Sequence, residues 1–415
     1  MEALQSGVGL LGLTAIAWLV GRQAPRLALR TAASGLLIQL ALGAVLLKLP
    51  GMRSVFAALN DIVLALQRAT QAGTSFVFGY VGGGDAPFTV TKPASSFILA
   101  FQALPLILLV SALSALLFYW RILPLVVRGF AWVLQRTMGL GGAVGVATAA
   151  NVFIGMIDAP LLIRPYLAKL SRGELFIVMV VGMATVAGTV MVLYASILAP
   201  VIPEAMGHIL AASLISAPAA VMVARLMVPD DSPPTPGDLA PDPEVRSSMQ
   251  AIANGTMQGI TLLAAVIAML IVFVALVALV NEMLGLLPWG GEGGLRLEEL
   301  AAYVMWPLAW LCGVPAGEAM AFARLLAVKT VINELAAYVD LAGSGGEALS
   351  ERSRMIATYA LCGFANFGSL GIVIAGLGAM APERRGEIVS LGFLCLVGGT
   401  LATCMTGAVV GLLGI

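Results

Sequence analysis

Apolar runs of about 20 residues follow one another along most of the chain. A helix needs about 20 such residues to cross a bilayer, and only helices and closed barrels can satisfy their backbone hydrogen bonds there. A membrane barrel would alternate apolar and polar residues, and these runs do not. Only 11% of the residues are charged, against about 25% in a soluble domain. The sequence therefore predicts an all-α polytopic membrane protein.

Eight of the apolar segments are predicted to span the membrane. They are residues 6–21, 31–49, 95–120, 174–200, 206–228, 257–284, 354–380 and 386–413. Arg22, Arg26 and Arg30 follow the first segment, so the positive-inside rule places that end in the cytoplasm. An acid precedes the first segment and arginines follow it, the reverse of a signal peptide, so we expect it to be retained. This topology places the N- and C-termini on the outer side of the cell inner (plasma) membrane.

The connecting segments differ in character. Residues 50–94 suit an external helix and loop, 122–138 an amphipathic helix in the inner interface, and 285–310 an external segment. Residues 229–244 are rich in Pro and Asp, which indicates a solvated cytoplasmic linker. We accordingly divide the chain into four sections, 1–94, 95–228, the linker at 229–256, and 257–415.

Two further segments, 141–166 and 311–343, contain too many Gly, Asn, Pro and charged residues for plain spans. Each is interpreted as a re-entrant hairpin, called hairpin one and hairpin two. Flanking charges indicate that hairpin one enters from inside and hairpin two from outside. Each hairpin precedes one span, so the arrangement forms an inverted repeat, and transporters bind substrate near the midplane where such halves meet.

Asp158 and Glu334 lie in these otherwise apolar hairpins, with Asn151 and Asn333 nearby. A carboxylate inside hydrocarbon costs about 2.5–3.5 kcal/mol, so such residues usually serve a function. They predict a secondary transporter that binds a polar substrate halfway across the membrane. Structural alternatives are that Glu334 pairs with Lys329 or Arg324, and that Asp158 caps a hairpin helix.

Other classes of protein fit less well. A net charge of zero gives no reason to expect a nucleic-acid partner. An intramembrane enzyme would need a nucleophile with a base or a metal cluster, and the sequence has one histidine and four scattered cysteines. We therefore expect no enzyme activity and no cofactor. A channel is disfavoured because the sequence has no repeated filter motif.

Five motifs carry a resemblance to a known family. They are TSFVFG (74–79), AANVFIG (149–155), ATVAG (184–188), VINELAAYVDL (331–341) and YALCGFANFGSLGI (359–372). In order and spacing they resemble the concentrative nucleoside transporter family along nearly the whole chain. The resemblance implies eight spans with two opposed hairpins, a homotrimer, and an elevator-type transport domain on a scaffold. It also implies nucleoside uptake coupled to Na⁺, with H⁺ as the alternative.

The resemblance assigns candidate residues to two sites. The substrate set comprises Gly155, Met156, Ile157, Asp158, Asn333, Glu334, Phe364, Asn366 and Ser369. The Na⁺ set comprises the side chains of Asn151 and Thr185 and the carbonyls of Ile154 and Val186. Hydroxyl-rich ribose suits a carboxylate beside an amide, and Na⁺ as a hard cation suits oxygen ligands.

The tip of hairpin one departs from the family pattern. Where the family usually has Gly-Gln-Thr-Glu-Ala-Pro, this chain has Gly155-Met156-Ile157-Asp158-Ala159-Pro160. The Gln and Thr of the family face the nucleobase, and Met and Ile offer no hydrogen bonds. Base discrimination is therefore expected to differ, and a different ribosylated or nucleoside-like substrate is an alternative.

Overall fold

The computed structural model describes residues 2–21, 24–89, 97–230, 232–237, 245–286 and 296–414. Within these ranges the chain is helical, with turns and irregular segments but no strand. The all-α prediction is confirmed.

The first half of the chain forms twelve described helices, three of which have only four residues. Their bounds are α1 Glu2–Gly21, α2 Pro25–Lys48, α3 Met52–Phe78, α4 Leu99–Gln102, α5 Leu106–Tyr119, α6 Ile122–Met138, α7 Gly142–Ile154, α8 Asp158–Leu161, α9 Arg164–Leu167, α10 Arg172–Ala184, α11 Gly188–Leu198 and α12 Ala205–Met227. A 3-10 turn at Gly79–Gly82 follows α3.

The second half adds the following helices. Their bounds are α13 Ser248–Gly285, α14 Leu297–Leu311, α15 Ala316–Val331, α16 Glu334–Ala342, α17 Ser344–Glu347, α18 Glu351–Leu361, α19 Phe367–Met380 and α20 Arg385–Leu413. A short 3-10 turn, Pro382–Arg384, precedes α20.

Seven helical stretches of the described chain are long and apolar enough to cross a membrane. They are Glu2–Gly21, Pro25–Lys48, Leu99–Tyr119, Arg172–Leu198, Ala205–Met227, Ser248–Gly285 and Pro382–Leu413. The remaining predicted span, 354–380, is not one continuous helix. It is divided into α18 and α19 by an irregular segment at 362–366, where Asn366 caps the second helix with its side chain.

The predicted span 174–200 is also divided, into α10 and α11, by residues 185–187. Helix α10 begins with a capping box in which Ser171 and Glu174 satisfy each other's backbone N–H groups. Helix α11 begins at Gly188, where an added Cβ would lie 2.6 Å from the carbonyl oxygen of Phe153 in α7. The glycine therefore allows the broken span to approach hairpin one closely.

In each segment predicted to be a re-entrant hairpin, two helices are joined by a short turn. Helix α7 turns at residues 155–157 into α8, and α15 turns at 332–333 into α16. Helix α14, whose range lies mostly in the segment predicted to be external, packs along α15. The side from which each hairpin enters the membrane stays a prediction.

Helices α10, α12 and α20 form the buried centre of the protein, and α1 and α2 pack on α12 and α20. Helices of the section 1–94 thus pack on helices of the later sections. The 38-residue helix α13 packs along α5. Only 6% of its most apolar window is buried inside the protein, so the rest of the described chain leaves most of this window uncovered.

Two features of the linker were not predicted from the sequence. Helix α13 begins at Ser248 with Ser247 as its cap, inside the range assigned to the linker. At the other end, Asp230 accepts the N–H of Gly173 at 3.1 Å, and Thr235 donates its N–H to Glu174 at 2.8 Å. These bonds fasten the start of the linker to the first turn of α10. Most of the described residues in 229–237 are nevertheless exposed, while 238–244 lie outside the described residues.

Candidate substrate and ion site

A cavity of about 210 Å³ lies where the tips of both hairpins meet the two broken spans and α13. Its walls come from residues 154–158 of hairpin one, 332–335 of hairpin two, and 364–372 of the second broken span. Helix α11 supplies a further wall, and five apolar residues of α13 close the remaining side. These are Leu262, Ala265, Val266, Met269 and Phe273.

All nine residues of the predicted substrate set line this cavity. They come from three stretches far apart in the sequence, namely the hairpin one tip, the hairpin two tip and the break before α19. The structure therefore brings the set together in space. Their roles in binding stay a prediction.

Glu334 is 5% exposed and holds two hydrogen bonds. The Tyr194 hydroxyl donates to Oε1 at 2.6 Å, and Nδ2 of Asn366 donates to Oε2 at 2.7 Å. Glu334 is the first residue of α16, and Asn333 caps that helix by accepting the N–H of Ala336 at 2.9 Å. A carboxylate at a helix N-terminus is favoured by the helix dipole, which helps to hold this buried acid at the hairpin tip.

The alternative role of Glu334 as a structural ion-pair partner does not fit the geometry. Lys329, which is fully buried, donates instead to the carbonyl of Ala360 and to Thr403 Oγ1, each at 2.9 Å. Arg324 lies 3.7 Å from Glu299. The carboxylate of Glu334 is therefore held by neutral donors on the cavity wall.

Asn366 connects the second broken span to Glu334. Its Oδ1 accepts the N–H of Ser369 at 2.7 Å, which caps α19, while its Nδ2 reaches the carboxylate. Residues 362–366 are not helical, so Asn366 is free to take the extended conformation of a cap. Phe364 lines the cavity from the same break.

The tip of hairpin one turns at Gly155, whose φ of 95° favours glycine. An added Cβ there would lie 2.9 Å from Cβ of Ala187, so the tip touches the first broken span. Ile157 covers Gly376 of α19 closely. The side chain of Asp158 is exposed to the cavity, and α8 has no side-chain cap, so the capping alternative is not observed.

Of the four predicted Na⁺ residues, Ile154 lines the cavity, and Asn151, Thr185 and Val186 do not. Asn151 is 1% exposed, and neither Oδ1 nor Nδ2 has a hydrogen-bond partner. A buried amide without protein partners is costly, so water or a ligand is expected to satisfy it. Thr185 and Val186 occupy the break between α10 and α11. This oxygen-bearing set suits a hard monovalent cation, and the described residues contain no group of three His, Cys, Asp or Glu side chains for a transition metal.

Two neighbours of the site were missed from sequence. Tyr194 lies in an apolar run of α11, yet it supplies the shorter bond to Glu334. Ser213 of α12 accepts the N–H of Val186 at 3.2 Å, satisfying an amide that the break leaves without a helical partner. Nothing in the local sequence marks either residue, because each partner lies in a distant segment of the chain.

Helices long enough to span a bilayer, a central cavity and a buried carboxylate on a helical hairpin together define a membrane transporter. Comparisons with known proteins give the family. The family descriptions "Na+ dependent nucleoside transporter N-terminus", "Nucleoside recognition" and "Na+ dependent nucleoside transporter C-terminus" match residues 8–81, 100–201 and 208–411.

Individual relatives agree. An uncharacterized transporter of Haemophilus influenzae is 36% identical, covering 99% of this chain and 98% of the relative. The nucleoside permease NupC of Helicobacter pylori is 34% identical over the same shares of the two chains. The structure of CNTnw in an inward-facing substrate-bound state has a TM-score of 0.89 at 34% identity, covering 99% of this chain and 98% of CNTnw. The chain belongs to the concentrative nucleoside transporter family, whose members are transporters and not enzymes.

Proposed function

We propose that this protein imports nucleosides by symport with a cation, Na⁺ in preference to H⁺, and that the substrate binds in the cavity between the two hairpin tips. The family's Na⁺-dependent nucleoside transport supports the general activity. The observation that carries the site is Glu334, a buried carboxylate held on a cavity wall by hydrogen bonds from Tyr194 and Asn366.

The ribose is proposed to bind at Glu334, Asn366 and Ser369. A ribose presents hydroxyl donors, and an ionised carboxylate accepts up to about four hydrogen bonds. Glu334 already accepts two from Tyr194 and Asn366, which orient it and leave lone pairs for the sugar. Charge-assisted bonds of this kind contribute about 1.5–3 kcal/mol each.

The cation is proposed to bind at Asn151, Thr185 and the carbonyls of Ile154 and Val186. The unpartnered amide of Asn151 supports this assignment. The hydroxyl of Thr185 donates to the carbonyl of Val181 at 2.9 Å, so its oxygen keeps lone pairs for a ligand. A cation at these groups would satisfy Oδ1 of Asn151, which is buried and accepts no hydrogen bond from the protein.

The two sites share structural elements, which suggests how they are coupled. Asn151 lies one helical turn before the tip of hairpin one, and residues 154–158 at that tip line the cavity. The break at 185–187 touches that tip through Ala187 and Gly155, and it leads into α11, which carries Tyr194. A cation that orders the break would therefore also fix the tip and the tyrosine, lowering the cost of binding the nucleoside.

The movement is proposed to be of the elevator type, with the hairpins and broken spans sliding past α13. The five α13 residues that close the cavity are apolar, so the hairpins and broken spans can slide past them without breaking hydrogen bonds. The exposed face of α13 is the proposed homotrimer or lipid surface, and the proposed location is the cell inner (plasma) membrane, with both termini outside.

Uptake of radiolabelled nucleosides into proteoliposomes tests this function. At fixed pH, an inward Na⁺ gradient should drive accumulation, and replacing Na⁺ by choline should abolish it. Undiminished uptake in choline that responds to a pH gradient would support H⁺ coupling instead. No saturable uptake of any nucleoside under either gradient would contradict the proposal and favour a different ribosylated substrate, which the altered tip of hairpin one keeps as the second candidate.

A further inference from the structure

The cavity contains two carboxylates in very different states. Glu334 is buried, and each of its oxygens accepts a hydrogen bond from the protein. Asp158 is exposed to the cavity from the opposite hairpin. No described residue donates a hydrogen bond to it, and it caps no helix. Asp158 is therefore a carboxylate whose donors have to come from water or from a ligand.

The residues around Asp158 provide few other hydrogen-bonding groups for a nucleobase. Met156 and Ile157 stand where an amide and a hydroxyl are usual in the family, and the α13 wall is apolar. An ionised carboxylate only accepts hydrogen bonds. A base carbonyl that faced Asp158 would therefore be repelled, whereas a base edge with two adjacent N–H donors would bind both carboxylate oxygens.

Among common nucleobases, guanine presents such an edge through N1–H and its 2-amino group. Hypoxanthine has the N1–H but lacks the amino group. Uracil has a single N–H between two carbonyls. The apolar wall of α13 and Met156 at the tip suit the faces of a large, flat purine ring.

We propose that Asp158 makes this transporter selective for nucleosides with a 2-amino-6-oxopurine base, of which guanosine is the simplest. The inference rests on the proposed function, because it requires a nucleoside whose ribose lies at Glu334. It adds a preference for the nucleobase. A base with two adjacent N–H donors facing Asp158 binds better than a base with a carbonyl facing Asp158.

Three ligands differ at the edge in question and test this preference with the unmodified protein. Equilibrium binding in saturating Na⁺ should be about tenfold or more tighter for guanosine than for inosine, the difference expected from one charge-assisted hydrogen bond. Blocking the second donor in 1-methylguanosine should weaken binding at least as much. Equal binding of guanosine and inosine would overturn the inference.

Substitution of Asp158 tests whether this residue is the source of the preference. Asp158→Asn replaces one acceptor by a donor, so the guanosine preference over inosine should fall below about threefold. The control, Asp340→Asn, removes a carboxylate that lines a neighbouring cavity beside α16 and should leave the preference unchanged. Full preference in Asp158→Asn would exclude Asp158 as its source.

These outcomes distinguish a failure of the base preference from a failure of the proposed nucleoside transport. If adenosine or uridine binds while guanosine and inosine bind equally, only the base preference fails. If no nucleoside binds at any Na⁺ concentration, the proposed function fails with it. If Asp158→Asn does not elute as folded protein in size-exclusion chromatography, the three-ligand series on the unmodified protein still decides whether the base preference holds.

Discussion

The hydroxyl of Tyr194 donates a 2.6 Å hydrogen bond to Oε1 of Glu334, joining helix α11 to the tip of hairpin two. Both residues are buried, and 140 positions separate them in the sequence. Since α11 begins where the break at 185–187 ends, this bond connects the proposed cation site to the proposed ribose site.

Tyr194→Phe should weaken nucleoside binding about tenfold. The change removes one donor from a buried carboxylate, and hydrogen bonds to charged groups contribute about 1.5–3 kcal/mol. The measurement is the KM for nucleoside uptake at saturating Na⁺. Tyr338→Phe is the matched control, because the Tyr338 ring lies 5.1 Å from that of Tyr194 while its hydroxyl donates to the carbonyl of Thr358. The control should lower thermal stability with little change in KM, and equal KM effects in the two variants would contradict the assignment.

Ser213→Ala should weaken the response to Na⁺. Its hydroxyl satisfies the N–H of Val186 in the break, and an unpaired buried N–H costs about 1–3 kcal/mol. We expect the Na⁺ concentration for half-maximal uptake to rise about fivefold or more. Ser216→Ala, in the same helix, removes a bond to Thr406 instead and should leave Na⁺ dependence unchanged. An unaltered Na⁺ response in a folded Ser213→Ala protein would show that the break does not need this support.

Gly155→Ala should destabilise the tip of hairpin one. The φ of 95° is unfavourable for alanine, and the new methyl would press on Ala187. We expect a loss of about 1–3 kcal/mol together with weaker nucleoside binding, measured by thermal unfolding and by uptake. Gly129→Ala is the control. It lies in helix α6 with no atom within 4 Å of an added Cβ, and it should stabilise by about 0.4–1 kcal/mol. Wild-type stability in Gly155→Ala would show that the tip tolerates a different backbone.

Asp230 should contribute stability that depends on pH. Partial burial opposes its ionisation, but hydrogen bonds from Ser171, Ser232 and Gly173 outweigh that effect and hold its pKa at about 2. Because this folded-state pKa lies below the ordinary value of 3.8, the contribution is fully present above about pH 4 and is lost as the pH falls through about 2.

Thermal unfolding of detergent-solubilised protein tests this pH dependence. Asp230→Asn should unfold at a lower temperature than the unmodified protein at pH 7, and the difference should shrink as the pH approaches 2. Asp61→Asn, at an exposed position of α3, serves as the control for removing a surface carboxylate. A difference that does not change between pH 7 and pH 2 would argue against the ionised Asp230 as the group that fastens the linker.

Much of the fold follows from the sequence because hydropathy reports burial in lipid. The apolar runs predicted the long helices, and polar residues inside apolar segments predicted the two hairpin segments. Hydropathy does not report where a helix ends in water, so the polar first turns of α13 from Ser248 were assigned to the linker. The break at 362–366 lies inside the predicted span 354–380, because apolar residues on both sides hide an irregular turn.

Some residues of the candidate site could likewise be predicted from the sequence, and others could not. Glu334 and Asp158 are conspicuous because carboxylates are rare in apolar segments. Tyr194 and Ser213 look like ordinary residues of apolar helices, and only the packing of α11 and α12 against other elements gives them their partners. The hydrogen bonds of Asp230 and Thr235 were not predicted, because their partners Gly173 and Glu174 lie about 60 residues earlier. Such long-range pairs cannot be inferred from local spacing.

Equilibrium binding of nucleoside to the unmodified protein and to Glu334→Gln, each in Na⁺ and in choline, tests the central claim most directly. Gln keeps the size of the side chain but removes the charge that is proposed to accept the ribose hydroxyls. We predict saturable binding by the unmodified protein in Na⁺, little in choline, and at least a tenfold loss of affinity in a Glu334→Gln protein that remains folded. Binding of undiminished affinity by Glu334→Gln would contradict the proposed site.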